Sequence, residues 1–596
     1  MRLDIGARPA TRGPSWSRHG LAEYNAAMRL LIILLGVLAY LTSFGGVLLF
    51  DDDAAITNNP YVRTLWPLSD SIKAPPQSSV AGRPVVSLSL ALNYAFGELR
   101  PWGYHAFNLT VHLLAGLTLF GVLRHTLSGP RLRRQYGGLA TPLAGAIALI
   151  WVVHPLQTES VTYIVQRAES LVGLFYLLTL YCAIRGFEAA RPRLWFIAAA
   201  LISAVGMATK EVMATAPLAV LLYDRIFVAD TFRQIAARRR DLYAGLAATW
   251  LVLGLLVIVG PRSETAGFGL PYLAPWEYAR SQFGVILHYL RLCFWPHPLC
   301  LDYAWPVAQR AGEIVPQALV VAALLAGTIW ALWRRSPVGF LGAWFFLTLA
   351  PTSSIVPIRD LAFEHRMYLP LAAVVTLTVM AGWWAINAVA ARLAWRDSVR
   401  RALAVICVAA LVVPLGIATS RRGFAYRSTE IMWGDVLATR PGNARAHCGL
   451  AYTLAAQGRL QEAIEHYGIS LRMNPGDPIT HNNYGGVLAN MGLYDEAARH
   501  FAAAVSLYPK FTIAQVSLGN ALHMEGDIAG AVAAHRKAIE MDGSYGDAYY
   551  NLGMDYAAEG KLDDAVAAFQ KCLILSPAHK SAKEALAKAT SRPAES

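Results

Sequence analysis

Residues 28–53 read MRLLIILLGVLAYLTSFGGVLLFDDD: an apolar run from Met28 to Phe50 that stops at three consecutive aspartates, Asp51, Asp52 and Asp53. The run is longer than the core of a secretory signal and long enough to cross a bilayer, for which roughly 20 residues are needed. It is therefore read as an uncleaved first span. Residues 1–27 carry Arg2, Arg8, Arg12 and Arg18 among Pro, Gly and Ser with no apolar period, and are expected to form a disordered cytoplasmic tail. The rest of the chain extends this reading. Of 596 residues, 55% are hydrophobic and only 15% charged, too apolar for a soluble enzyme of several domains. The expected fold is all-α, a polytopic membrane helical bundle.

Further runs of spanning length begin near Tyr104, Leu139, Ala168, Leu194, Val212, Leu242, Ile314, Val338, Tyr368 and Ala402, making eleven with the first. One segment is ambiguous: EYARSQFGVILHYLRLCFWPHPLCLDY, residues 277–303, where Arg280, His288 and Arg291 interrupt the apolar stretch. Charge bias decides it. If residues 277–296 do not span, the cytoplasmic side receives RHTLSGPRLRRQYGG (124–138), RGFEAARPR (185–193), RQIAARRR (233–240), Arg334 with Arg335, and ARLAWRDSVRR (391–401). If they do span, the last two clusters move outside, so 277–296 is read as an interfacial or re-entrant helix. The net charge of +13 then reports topology, and nucleic acid is not an expected partner. The six cysteines form no CxxC pair and no zinc spacing; at most Cys293 and Cys300 stand close enough in sequence to bridge.

After Ser420 the composition turns soluble and a repeat begins. Gly458, Gly492, Gly526 and Gly560 recur every 34 residues, as do Ala463, Ala497, Ala531 and Ala565. Pro475, Pro509 and Pro577 close three units, with Gly543 in the remaining slot. This is the tetratricopeptide helix-turn-helix period. Four units and a final HKSAKEALAKAT helix are expected over 443–591, preceded by a half-repeat over 428–442 with Trp433 and Pro441 in register. Such solenoids commonly present a concave surface to peptides or proteins; a packing or dimerisation scaffold is the competing reading.

With the N-terminus inside and eleven spans, the polar residues gather on the outer face. They are the aspartates, His105 and Asn108, then His154, Glu159, Arg167 and Glu169, then Lys210 and Glu211, then Asp302, and finally Asp360, Glu364, His365 and Arg366. Ionisable groups at membrane depth are costly and mark sites. Each has a plainer reading. The aspartates open a solvated loop, Lys210 and Glu211 form a structural salt bridge in a tight turn, Arg167 pairs with Glu169, and the His154 ring hydrogen-bonds only backbone. Together they point to a site that activates a hydroxyl and holds an anion: a carboxylate takes the proton of an attacking alcohol, and Arg or Lys holds a departing phosphate.

The strings DDDAAITNNPYV (51–62), RPVVSLSLALNYAFGELRPWGYHAFNLTVHLL (83–114), HPLQTESVTYIVQRAE (154–169), TKE (209–211), WPHPLCLDY (295–303) and EHRMYLP (364–370), ending in the repeats, resemble the transmembrane and tetratricopeptide-repeat O-mannosyltransferase family. That family belongs with the multispan class C glycosyltransferases, and the resemblance runs from about Arg29 to Ala589. It implies an isoprenoid-phosphate-linked sugar donor, inverting transfer to an acceptor hydroxyl, and a site in the first outer loop, residues 51–103, of a membrane domain spanning 28–420. On the matching positions Asp51 and Asp52 become the catalytic pair, with Asp51 favoured as base, while Asp53 departs from the family's variable residue. Lys210, Arg167 and Arg366 are candidates for the lipid phosphate, Glu169 and Glu364 orient those cations, and Glu211, His154 and His105 support the site.

The Ala- and Arg-rich composition reads as bacterial, which makes the outer face periplasmic and the donor a polyprenyl-phosphate hexose in the inner membrane. Mannose is the sugar the resemblance implies; glucose or an amino sugar fits the sequence equally. The leading expectation is a protein O-glycosyltransferase acting on Ser or Thr of exported proteins, its repeats recruiting the acceptor. The alternatives are the same fold glycosylating lipid A or a cell-envelope glycan, and a non-catalytic assembly or export scaffold. No cofactor or metal is expected, although three aspartates have the oxygen ligands a divalent ion takes.

Overall fold

The computed structural model describes residues 18–76, 78–259, 267 and 273–591, so residues 1–17 of the expected tail lie outside it. Every regular element among the described residues is helical. The first helix, α1, runs Arg18–Tyr40 and continues as a 3-10 turn, Leu41–Gly45. It starts ten residues ahead of the expected tail boundary, because residues 18–27, RHGLAEYNAA, hold no proline and are rich in the strong helix formers Ala, Leu, Glu and Arg.

Among the described residues, eight helical stretches are long and apolar enough to cross a membrane: Ala22–Gly45, Pro101–Ser128, Arg133–Val152, Ile164–Glu188, Phe232–Val259, Ala311–Trp333, Pro370–Arg392 and Asp397–Tyr426. The protein is an integral membrane protein. Three of the eleven expected spans are shorter than a bilayer core. Arg193–Met207 has 15 residues and Pro337–Leu349 has 13, rising only about 20 Å at ~1.5 Å per residue. The segment from Val212 divides into a 3-10 turn, an eight-residue helix and a π-helical turn. These short pieces lie against long neighbours. Gly339, for example, approaches so closely that a Cβ there would come 2.5 Å from the Leu332 backbone nitrogen.

The ambiguous segment forms one helix, Pro275–Phe294, with Tyr278, Gln282, Val285, Tyr289 and Leu292 on its buried face. Trp276 and Trp295 stand exposed at its two ends, as aromatic residues do at a membrane surface. The expected outer loop 51–103 is not all loop. It contains short helical turns and a 14-residue apolar helix, Pro84–Gly97. Cys293 and Cys300 do not bridge; all six cysteines are free, and the Cys300 thiol instead donates to the Asp302 carbonyl at 3.1 Å.

The chain divides into two compact units that meet between Met432 and Trp433. The second holds the repeats as helix pairs Ala444–Ala456 with Leu460–Met473, Pro478–Asn490 with Tyr494–Leu507, Thr512–Glu525 with Ile528–Met541, and Gly546–Ala558 with Leu562–Leu575, closed by Lys580–Thr590. The half-repeat helix, Thr429–Thr439, runs across the boundary into it. Ala463, Ala497, Ala531 and Ala565 are fully buried, where any larger side chain would push the paired helices apart. Gly458, Gly492, Gly526 and Gly560 end the first helix of each pair at φ of +79°, +79°, +98° and +79°. Only glycine enters that region without a Cβ penalty. Gly492→Ala is expected to destabilise the repeats by roughly 1–2 kcal/mol, read as a lower melting temperature of the repeat transition in the purified full-length protein.

Candidate active site

Past the first span the chain turns sharply. Gly46 leaves the 3-10 turn in extended conformation and lies so close to His105 that a Cβ would come 2.9 Å from its Nε2. Phe50 adopts φ +46°, an uncommon conformation for a bulky residue and one met at functional turns. The three aspartates then separate by environment. Asp52 is fully buried, and each of its oxygens accepts a backbone N–H, Oδ2 from Leu49 and Oδ1 from Val165, both at 2.9 Å. Burial, reinforced by the charge of Asp51 and partly offset by these two hydrogen bonds, pushes its carboxyl up to about 8. Asp51 is half-buried and donates its N–H to the Tyr163 hydroxyl at 2.9 Å; Asp53 is exposed. Asp52 anchors the turn and Asp51 stands at its mouth.

The segment His154–Glu169 supplies the wall. It interrupts the helices with a 3-10 turn, Pro155–Gln157, a single helical turn, Thr158–Thr162, and another 3-10 turn, Ile164–Gln166. Asn108 ties this irregular backbone down by donating to the carbonyls of Val161 and Ile164, each at 3.2 Å. Arg167 is fully buried. Its guanidinium donates to Asn93 Oδ1 at 2.6 Å, to the Ser89 carbonyl at 3.2 Å and to the Tyr104 carbonyl at 3.4 Å. It lies 4.7 Å from the Phe107 ring centre. All these partners are neutral, and Arg167 forms no ion pair with Glu169 among the described residues. A buried cation held by neutral groups retains attraction for an anion.

Glu169 pairs with Lys210 instead, Nζ to Oε1 at 2.6 Å, both side chains buried. The same oxygen lies 3.7 Å from His365 Nε2, and His365 Nδ1 lies 2.7 Å from Glu159 Oε1. The His365 backbone N–H donates to the other Glu159 oxygen at 2.9 Å. A continuous polar row, Lys210, Glu169, His365 and Glu159, thus crosses the bundle. Burial pulls the Lys210 ammonium and the His365 imidazole down from their ordinary values, and pushes Glu159 up to about 8. Glu364, pushed up to about 7 by burial, accepts from the Cys300 N–H at 2.5 Å and the Tyr303 hydroxyl at 2.7 Å.

Four of the expected site residues bond other groups. Arg366 donates to the Tyr278 hydroxyl and to the carbonyls of Thr352, Leu361 and Asp360, so it clamps the loop before it and has little left for a phosphate. His154 uses both ring nitrogens on backbone, Nδ1 accepting from Leu156 N–H at 3.2 Å and Nε2 facing the Cys293 carbonyl at 3.1 Å. It caps a turn, the plainer of its two readings. Glu211 faces Arg83 at 3.6 Å and not a cation of the buried row. Glu364 likewise holds loop groups and no candidate cation directly.

Arg83, Tyr163 and Arg422 were not among the expected residues. Arg83 and Arg422 act electrostatically on the buried row, the first on Lys210 and His365, the second on Glu159 and Glu364. Arg422 had a signal in the sequence: it belongs to a basic pair, Arg421 and Arg422, at the C-terminal end of the last long apolar run, the end that the expected topology puts on the outer face. Among the described residues no group of three or more His, Cys, Asp or Glu side chains converges as a metal site.

Residues 432–478, 487–548 and 546–579 match models of the tetratricopeptide repeat. The chain is 27% identical over 502 residues to protein O-mannosyl-transferase TMTC4 of Mus musculus, covering 74% of this chain and 65% of that one. It is 22% identical over 475 residues to protein O-mannosyl-transferase F38B6.6 of Caenorhabditis elegans, covering 74% and 62%. A shorter stretch of 212 residues is 34% identical to protein O-mannosyl-transferase tmtc2 of Xenopus laevis, covering 33% and 24%. The chain thus spans less than two thirds of the length of these relatives. Over 74% of its length it is similar in sequence to a protein O-mannosyl-transferase, and its C-terminal part carries tetratricopeptide repeats.

Two measurements follow from the geometry. Above about pH 7 the histidines that burial pulls down are neutral in both the folded and the unfolded chain, whereas Asp52, Glu159 and Glu364 have raised values in the folded protein, so from there to about pH 8 stability falls as pH rises. The melting temperature in detergent is expected to drop from about pH 7 to about pH 8.5, and Glu364→Gln, which keeps the acceptor oxygen, to flatten the slope. Lys210→Met leaves Glu169 buried without its cation and is expected to cost about 3–5 kcal/mol. The double variant Lys210→Met with Glu169→Gln is expected to recover most of that loss in the same melting assay.

Proposed function

We propose that this protein is a membrane glycosyltransferase that moves a hexose, mannose in the leading reading, from a polyprenyl-phosphate donor to Ser or Thr hydroxyls of proteins. The observation that carries the reading is the split between the two aspartates: Asp52 locked by two backbone N–H groups and half-buried Asp51 beside it, in a homologue of protein O-mannosyl-transferases. In this scheme Asp51 removes the proton of the acceptor hydroxyl as the oxygen attacks the anomeric carbon, and the sugar inverts as the bond to the lipid phosphate breaks. Arg167, with its neutral partners, and Lys210 stabilise the charge growing on that phosphate. Asp52 keeps the Asp51 backbone in place. The repeats bring the acceptor, the use for which their architecture is suited. On the charge-bias topology the aspartates and repeats share the outer, periplasmic face.

Labelled sugar transfer from polyprenyl-phosphate mannose tests this in membranes holding wild type, Asp51→Asn or Asp52→Asn at matched levels, with protein and lipid products separated. Removal of a general base is expected to reduce labelled protein by about 10²–10⁴-fold in Asp51→Asn. Asp52→Asn, which loses one of two backbone acceptors, is expected to fall less. Equal labelling in all three overturns the catalytic assignment; label in lipid alone moves the acceptor to an envelope glycan or lipid.

A further inference from the structure

The last long apolar helix, Asp397–Gly423, ends against the loop that carries the aspartates. Thr42 donates its hydroxyl to the Ser420 carbonyl at 2.8 Å, and Thr419 donates to the Val153 carbonyl at 2.7 Å, just before the His154–Glu169 wall. A Cβ on Gly423 would collide with Thr42 Oγ1. A 3-10 turn, Phe424–Tyr426, follows, and its Tyr426 carbonyl accepts the Val47 N–H at 3.3 Å. The Tyr426 ring is buried, 6.4 Å between centres from the ring of Tyr163. Tyr163 is the residue whose hydroxyl takes the Asp51 N–H. Arg422 lies 5.7 Å from the Tyr426 ring centre, and Ser43 meets Thr162 hydroxyl to hydroxyl at 2.7 Å.

We propose that Ser420–Arg427 is a strap that positions the aspartate turn, with Tyr426 as its positioning residue: the carbonyl holds Val47, and the ring holds Tyr163, which holds Asp51. The inference deepens the transferase reading and rests on Asp51 as base. It gives the end of the final span a role in the first outer loop, nearly four hundred residues earlier in the chain. A helix end that only terminated a span would have no reason to bury a tyrosine under the Asp51 partner. The strap is also the last segment before the half-repeat helix, Thr429–Thr439, so the repeats are joined by covalent continuity to the group that sets the base.

The test uses full-length protein in detergent with Tyr426→Ala, Tyr426→Phe and the milder Thr42→Val, which keeps shape and loses the bond to Ser420. Hydrogen exchange of peptides covering residues 46–53 is expected to speed up about tenfold in Tyr426→Ala, less in Thr42→Val, and to return toward wild type in Tyr426→Phe. Transfer from polyprenyl-phosphate mannose is expected to lose about ten- to a hundredfold in kcat in Tyr426→Ala, with donor KM within about twofold, and to be rescued by Tyr426→Phe. Unchanged exchange in both Tyr426→Ala and Thr42→Val overturns the strap, whatever the sugar assay gives. Faster exchange with unchanged kcat overturns its positioning role. Failure of the transferase reading shows separately, as full activity in Asp51→Asn.

Discussion

The Asp52 carboxyl receives N–H groups from two directions, Leu49 on its own turn and Val165 more than a hundred residues later, and the arrangement of the candidate site depends on that closure. The two segments it joins are irregular, and irregular backbone is tolerated at membrane depth only where protein groups satisfy it. Asp52 answers two N–H groups on both sides of the joint, Asn108 answers two carbonyls of the wall, and Tyr163 answers Asp51. What remains in reach of a substrate is then Asp51. A site of this kind is held by hydrogen bonds to backbone, since apolar packing alone has no directional preference to offer a turn.

The cations follow a second rule, that a buried charge acquires partners according to its task. Arg366 and His154 bond backbone and hold loops; Lys210 and Glu169 neutralise each other. Arg167 stands apart with amide, carbonyl and aromatic neighbours. Two networks therefore meet along His154–Glu169, one centred on the aspartate turn and Arg167, the other running from Lys210 to Glu159. The first has the layout expected for a lipid phosphate beside a hydroxyl acceptor, and the second fixes the wall that both share.

Much of this architecture was legible in the residues. Apolar run length located the long apolar helices, because hydrophobicity is a property of composition. The 34-residue recurrence of Gly and Ala located every repeat, because a left-handed helix end and a tight helix crossing each admit one small residue. The grouping of His105, Asn108, Glu159, Arg167, Glu169, Lys210 and His365 was readable for a similar reason, since ionisable groups in an apolar background stand out singly.

Partnership was not readable. Arg167 and Glu169 are two residues apart in sequence, yet they face different neighbours because the 3-10 turn at Ile164–Gln166 feeds a helix on which they diverge. Three of the apolar runs form helices of 15, 13 and eight residues, a shortening that hydropathy does not register. Asp51, Asp52 and Asp53 are identical residues. Their separation into mouth, anchor and solvent came only from which backbone N–H groups the folded chain delivered to each. The sequence by itself determined the membrane and repeat architecture and the chemical types at the site, because these depend on local hydrophobicity and periodicity. The tertiary structure alone decided which aspartate is buried, which buried cation among the described residues forms no ion pair and which distant helix end meets the turn, because each is a contact between segments that chain order does not relate.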